Sequence, residues 1–201
     1  MAPRVFQRLG GVACLEFANV LARRSGDPLR HITSYHHLVS WSVQAGCIGP
    51  GDAQRLREAV GEHPEEADRA TERARRLCVA LRGIFSAVAE GRRTEPAELD
   101  LLNREWREVL RRQRIVARGA RFAVELPPAG GSLVRPLWPV IRSAAELLVS
   151  ARLDRVRICA AAGCTYLFLD PTRNGSRRWC DMRICGNRAK ARRFQERHRG
   201  K

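Results

Sequence analysis

The chain has 201 residues, enough for one sizeable domain or a domain plus a small module and too few for two large catalytic lobes. Hydrophobic residues make up 44% and charged residues 29%, so a packed core is expected and wholesale disorder is excluded. Lys and Arg number 37 against 21 Asp and Glu, a formal net charge of +16 that favours a polyanionic partner, nucleic acid being the commonest. Only Lys190 and Lys201 are lysines. A GC-rich coding bias accounts for Arg in place of Lys, but not for the excess of bases over acids.

The positive charges of residues 1–8 are not followed by a long apolar stretch, so no signal peptide is expected. No apolar run reaches the ~20 residues of a membrane helix. A soluble, cytoplasmic protein is the expectation, and its seven cysteines then read as metal ligands or redox groups before disulfides.

In chain order, residues 12–22 read as an apolar helix interrupted by Glu16 and Asn19, and residues 34–45 as a second helix with Tyr35, Leu38, Val39 and Trp41 inward and Gly46 as its stop. A third helix is expected near Gly51, capped by Asp52, with Leu56, Ala59 and Val60 inward. Pro64 suits a first turn, and apolar groups then recur at three- and four-residue steps from Ala67 to Val88 until Gly91. Thr94 and Pro96 open a further helix with Leu99, Leu102, Trp106, Val109 and Leu110 on one stripe. The period then changes to two: residues 114–117 and 122–126 alternate like a hairpin about Arg118-Gly119, implying a small sheet packed on helices. Residues 127–131 read as a loop, and Pro136 and Pro139 begin a last helix that ends near Ser150. Cys14, Cys47 and Cys78 sit singly in helical apolar contexts and read as core.

Charge divides the chain at residue 154. Residues 1–154 hold 24 basic and 18 acidic side chains, and residues 155–201 hold 13 and 3. The same short segment holds Cys159, Cys164, Cys180 and Cys185 as two Cys-x4-Cys pairs. Two such pairs let a short chain fold around one tetrahedral Zn2+, and a four-thiolate site has no open position for water, so it is structural. So few residues bury little core, and metal binding would supply the missing folding free energy. Between the pairs, residues 165–170 read as a strand, 171–176 as a turn and 177–179 as a returning strand, with a helix over 186–198; this order is treble-clef-like. Four unrelated or redox-active thiols are the alternative.

The string from Arg173 to Arg193, with Phe168-Leu169-Asp170, Arg177-Arg178-Trp179-Cys180 and Cys185-Gly186-Asn187-Arg188, closely resembles the CGNR zinc finger. Upstream, Cys14-Leu15-Glu16-Phe17-Ala18-Asn19, Leu38-Val39-Ser40-Trp41 and Leu147-Leu148 resemble the ABATE domain, with Glu16 and Val20 standing where that family usually has Asp and Thr. The resemblance implies a bacterial transcriptional regulator whose finger binds DNA and whose N-terminal domain senses a small molecule.

The expected architecture is therefore α+β: a mainly helical domain with a small hairpin over residues 1–152, then a four-cysteine finger with a basic helix over residues 153–201. Arg177, Arg178, Arg188, Lys190, Arg192, Arg193 and Arg197 are the candidate DNA contacts. Phe194 is expected to pack on the hairpin at Leu167 or Phe168, and Trp179 reads as core before base-stacking platform. Glu16 and Asn19 share a helix face, where they either satisfy nearby backbone, the favoured role, or bind a ligand, and they are the candidate effector site. No phosphate-binding loop or nucleophile elbow is present, and His31, His36, His37, His63 and His198 form no metal motif, so no enzyme is expected. A thiol-based redox switch and RNA binding remain open, as do a solvated basic face and an N-terminal enzyme stabilised by zinc. Oligomeric state is not legible.

Overall fold

The computed structural model describes residues 6, 8–23, 32–126 and 132–199; the loop expected at 127–131 and His31 lie outside these. A short helix, α1 (Ala13–Ala18), lies at the centre, its Cys14, Leu15, Phe17 and Ala18 fully buried. It continues as a 3-10 turn over Asn19–Leu21. Around it pack α2 (Tyr35–Gln44), α3 (Pro50–Glu62), α4 (Pro64–Ala89), α5 (Pro96–Leu110) and α6 (Trp138–Leu148). Ser34 caps α2 by accepting from the His37 N–H, and the Phe17 and Trp41 rings meet edge-on at 4.8 Å between α1 and α2. The long amphipathic α4 buries Leu77, Leu81, Ile84 and Phe85 against α1 and α5.

Two local expectations change. Helix α3 starts at Pro50 with Gly49 at its cap, so Asp52 falls inside the first turn and pairs with Arg55 at 2.5 Å in place of capping. On α5 only Leu102 and Val109 are buried; Leu99 and Trp106 are half-buried and Leu110 is exposed.

The hairpin forms from β1 (Arg114–Arg118) and β2 (Arg121–Glu125), paired Ile115 to Val124 and Ala117 to Phe122. Gly119, at φ +60°, makes the tight reversal. The expected small sheet forms, and only one of its faces is even partly covered. Val116, Ala123 and Glu125 are half-buried, while the opposite face carrying Ile115, Phe122 and Val124 is exposed. Alternation specifies that two faces exist and leaves open which of them the core takes.

Past α6 the chain turns through Leu153–Arg155 into β3 (Val156–Ile158), which pairs antiparallel with β4 (Leu167–Leu169). Val156, Leu167 and Leu169 belong to the main core, whereas Phe168, Tyr166 and the cysteines form a second cluster with Ala22. Because successive side chains on a strand point to opposite faces, β4 joins the two cores. No described helix is long and apolar enough to cross a membrane.

Candidate metal centre and nucleic-acid interface

The β3–β4 hairpin encloses the first cysteine pair, with the Cys159 N–H donating to the Tyr166 carbonyl at 2.9 Å. This corrects the expected returning strand at 177–179: that segment forms no strand, and the hairpin lies around the first pair instead of between the two. The second pair opens a π turn, Met182–Gly186, started by Asp181, whose carboxylate accepts from the Arg183 and Ile184 N–H groups. The turn leads directly into α7 (Asn187–Arg199).

These elements bring the sulfurs of Cys159, Cys164, Cys180 and Cys185 within 4.8 Å of one another, all buried. Cys164 to Cys180 is 3.8 Å and Cys180 to Cys185 is 3.7 Å. A zinc–sulfur bond of about 2.3 Å puts tetrahedral sulfurs about 3.8 Å apart, so the donor set fits one structural Zn2+. The Cys180 N–H points at the Cys159 sulfur at 3.4 Å, and the Arg188 guanidinium lies 3.9 Å from the Cys185 sulfur. Both orient and neutralise thiolates. Hydrogen bonds from Cys164 and Cys180 pull the Cys159 thiol far down, while those neighbours are pushed up, the pattern of sulfurs too crowded to ionise together without a dication. The other three cysteines are different. Burial raises Cys14 and Cys78 to about 12 and Cys47 to about 11, which leaves them little thiolate at neutral pH.

The seven candidate DNA contacts divide. Arg178, Arg188, Arg192 and Arg193 line a cleft of about 260 Å³ between the 160–162 segment of the first cysteine pair and α7, together with Trp179 and Ala189. Arg177 turns inward: it donates to the Trp179 carbonyl at 3.0 Å and to the Cys180 carbonyl, and its guanidinium lies 4.5 Å from the Phe168 ring centroid. It fixes the loop into the second cysteine pair. Lys190 is exposed outside the cleft, and Arg197 donates to the Arg193 carbonyl at 3.4 Å. Phe194 does not pack on the hairpin; it is exposed and meets the His198 ring, one turn on, at 4.1 Å in a tilted contact. Trp179 is half-buried against the cysteines with Arg178 5.7 Å from its ring. Among the described residues, the cysteines are the one cluster of metal-ligating side chains.

Residues 155–198 match the CGNR zinc finger, and residues 11–151 match ABATE, described as "Putative stress-induced transcription regulator". The chain belongs to the ABATE family. A comparison with curated proteins finds no match.

The ABATE domain holds the finger through Glu16 and Asn19, the pair named as the candidate effector site, and both side chains bond to the chain's own backbone. Glu16 is buried and accepts from the N–H groups of Leu9, Gly10 and Gly11 at 3.1, 2.9 and 3.1 Å. Burial pushes its carboxyl above its ordinary value against the pull of those three donors. The turn it shapes needs both glycines: Gly11 has φ +85°, and a side chain on Gly10 would meet the Glu16 backbone nitrogen at 2.9 Å. The Gly10 carbonyl then accepts from the Leu169 N–H at 2.9 Å. Asn19 imitates a strand: its side chain accepts from the Leu167 N–H and donates to the Leu167 carbonyl, both at 2.8 Å. Thr165 exchanges two 2.8 Å bonds with the Arg23 backbone, and Arg82 donates to the Thr165 carbonyl at 2.6 Å. The edge of β4 facing away from β3 is thus covered at 165, 167 and 169.

Sequence reasoning missed Asp170 in the CGNR finger. Buried beyond β4, it accepts from the Thr172 N–H and hydroxyl at 2.8 and 2.6 Å and from the Arg177 N–H at 2.9 Å. Burial opposes its charge, but these bonds outweigh it and hold the carboxyl below its ordinary value. Asp before Pro171-Thr172 is the signal that could have found it, since Asp bonds backbone two residues on. Asp170→Asn, which turns an acceptor into a donor facing an N–H, is expected to destabilise the zinc-loaded protein by about 1–3 kcal/mol in denaturant titration. The sign with pH follows. A depressed carboxyl stabilises the fold above its unfolded value, so the parent's advantage over the variant is present at neutral pH and shrinks as pH falls through the carboxylate range.

Proposed function

We propose that this ABATE-family protein is a zinc-stabilised regulator that binds DNA through the face of the CGNR finger where the 160–162 segment meets α7. One observation carries the reading: Arg178, Arg188, Arg192 and Arg193 converge on one cleft beside a metal site that rigidifies both of its walls. Convergent guanidinium groups repel one another in isolation and are relieved by phosphates. The zinc has no chemical role beyond holding Cys159 and Cys164 of one wall to Cys185 of the other. The families matched are a regulator and a finger, and the protein is read as non-enzymatic, acting on DNA in the cytoplasm. Burial of all four sulfurs weighs against a thiol switch, which needs exposed thiolates. Glu16 and Asn19 are engaged by the chain itself and lend no support to effector sensing.

The test is a salt titration of duplex binding. Replacing Arg188, Arg192 and Arg193 by Ala is expected to leave zinc bound and to reduce the log–log salt slope by ~2 to 3 units, about 0.9 per phosphate contact. An unchanged slope removes this face as the contact surface. Tighter binding to duplex RNA than to duplex DNA assigns the protein to RNA.

A further inference from the structure

The cleft has more than arginines in it. Residues 160–162 and 189 are alanines, and Trp179 completes an apolar lining that phosphate alone has no use for. We propose that this cleft seats a single unpaired nucleotide, its base against Trp179 and the alanine surface and its phosphate among the arginines. The proposal rests on the nucleic-acid reading above and names which part of the polymer the cleft takes.

Size, shape and chemistry agree. At about 260 Å³ the space lies below the range of about 300–1,000 Å³ that holds drug-sized ligands, so one planar group with its phosphate fills it. In a duplex the base faces are stacked and only edges and phosphates are on offer, which leaves an apolar concavity nothing to bind. An unpaired base presents its face, and aromatic rings and guanidinium planes are the surfaces that recognise it. Here Arg178 lies over the Trp179 ring at 5.7 Å from its centroid and both line the cleft, so the cleft wall offers a base a guanidinium plane backed by an aromatic ring. Arg188 and Arg192, four residues apart, project from neighbouring turns of α7 on the same side. The cysteine site fixes the separation of the walls, because the alanine segment lies between Cys159 and Cys164 while α7 follows Cys185.

The chemistry is that of a nucleotide, whether within a single strand or free. Zinc-loaded full-length protein is titrated with an oligothymidylate, a duplex of equal length, thymidine monophosphate and inorganic phosphate, reading tryptophan fluorescence and competition. The oligothymidylate is expected to quench fluorescence. Trp179→Phe should abolish most of that quench while keeping affinity, and Trp179→Ala should weaken the single strand roughly 5- to 150-fold. Ala189→Leu fills the cleft and spares every arginine. It should weaken single-strand binding roughly tenfold or more and leave duplex affinity unchanged, which keeps the test valid should Trp179→Ala lose zinc. Thymidine monophosphate that quenches and competes as the oligomer does supports the seat and identifies a free nucleotide as its occupant. Ala189→Leu binding both strands as the parent does, or phosphate competing while no nucleotide quenches, overturns the seat and leaves the duplex reading standing. Failure of every nucleic acid to bind overturns both.

Discussion

Cys164→Ser and Cys185→Ser are each expected to abolish zinc binding, to unfold the 156–199 segment and to lower the melting temperature of the helical domain as well. Cys47→Ser is expected to keep one zinc per chain. A structural zinc contributes on the order of 10–16 kcal/mol in small finger peptides, as much as the whole stability of a typical domain. The finger has little to set against its loss, since its own cluster consists largely of the four cysteines with Tyr166, Phe168 and a few small residues. The damage does not stop there, because β4 contributes Leu167 and Leu169 to the main core and bonds to Gly10 and Asn19, while Thr165 just before it bonds to Arg23. Losing its order exposes that face of α1. Metal analysis of reduced protein, thermal melting and amide exchange in α1 read the three parts of the result separately. Metal loss from Cys47→Ser equal to that from the other two would show that the ligands are wrongly assigned. Unchanged protection of α1 in the zinc-free variants would show that the helical domain stands alone.

Asn19→Ala is expected to cost roughly 2–6 kcal/mol with zinc still bound. The side chain satisfies both the N–H and the C=O of Leu167, a residue with no solvent exposure, and truncation leaves both without a partner at about 1–3 kcal/mol each. For a chain of this length that is a fall in melting temperature of very roughly 5–20 °C. Asn19→Asp discriminates further: it keeps the acceptor, turns the donor into a second acceptor against the Leu167 carbonyl and adds a buried charge, so it should be at least as harmful as Ala. Scanning calorimetry of zinc-loaded parent and variants measures this. A loss below about 1 kcal/mol in Asn19→Ala would show that water or a backbone shift replaces the amide and that the clamp is not what joins the domains.

The metal centre was legible in the chain because ligand spacing is covalent. Two Cys-x4-Cys pairs in one short basic segment limit where the sulfurs can go, whatever the rest of the fold does. Local periodicity likewise marked α2, α4 and α5 close to their bounds, and a period of two marked β1 and β2. The strand predicted at 177–179 failed because a side chain took the place of a ladder: Arg177, within the segment, satisfies the Trp179 and Cys180 carbonyls. Val156-Arg157-Ile158 carried the alternating signal of the true partner strand, too short to outweigh the turn residues that followed β4.

By itself the sequence determined the elements, the ion and the concentration of charge, since each depends on spacing within a few dozen residues. Tertiary structure alone decided the roles of side chains whose partners are distant. Glu16 and Asn19 were recognisable as polar groups on an apolar helix that must be satisfied, but Leu167, the partner of Asn19, lies 148 residues further on. The division of the arginines was equally hidden, because a charge run is the same string whether a guanidinium turns inward over Phe168 or outward into a cleft. A buried polar group is bound to find a partner, and the fold alone selects which one.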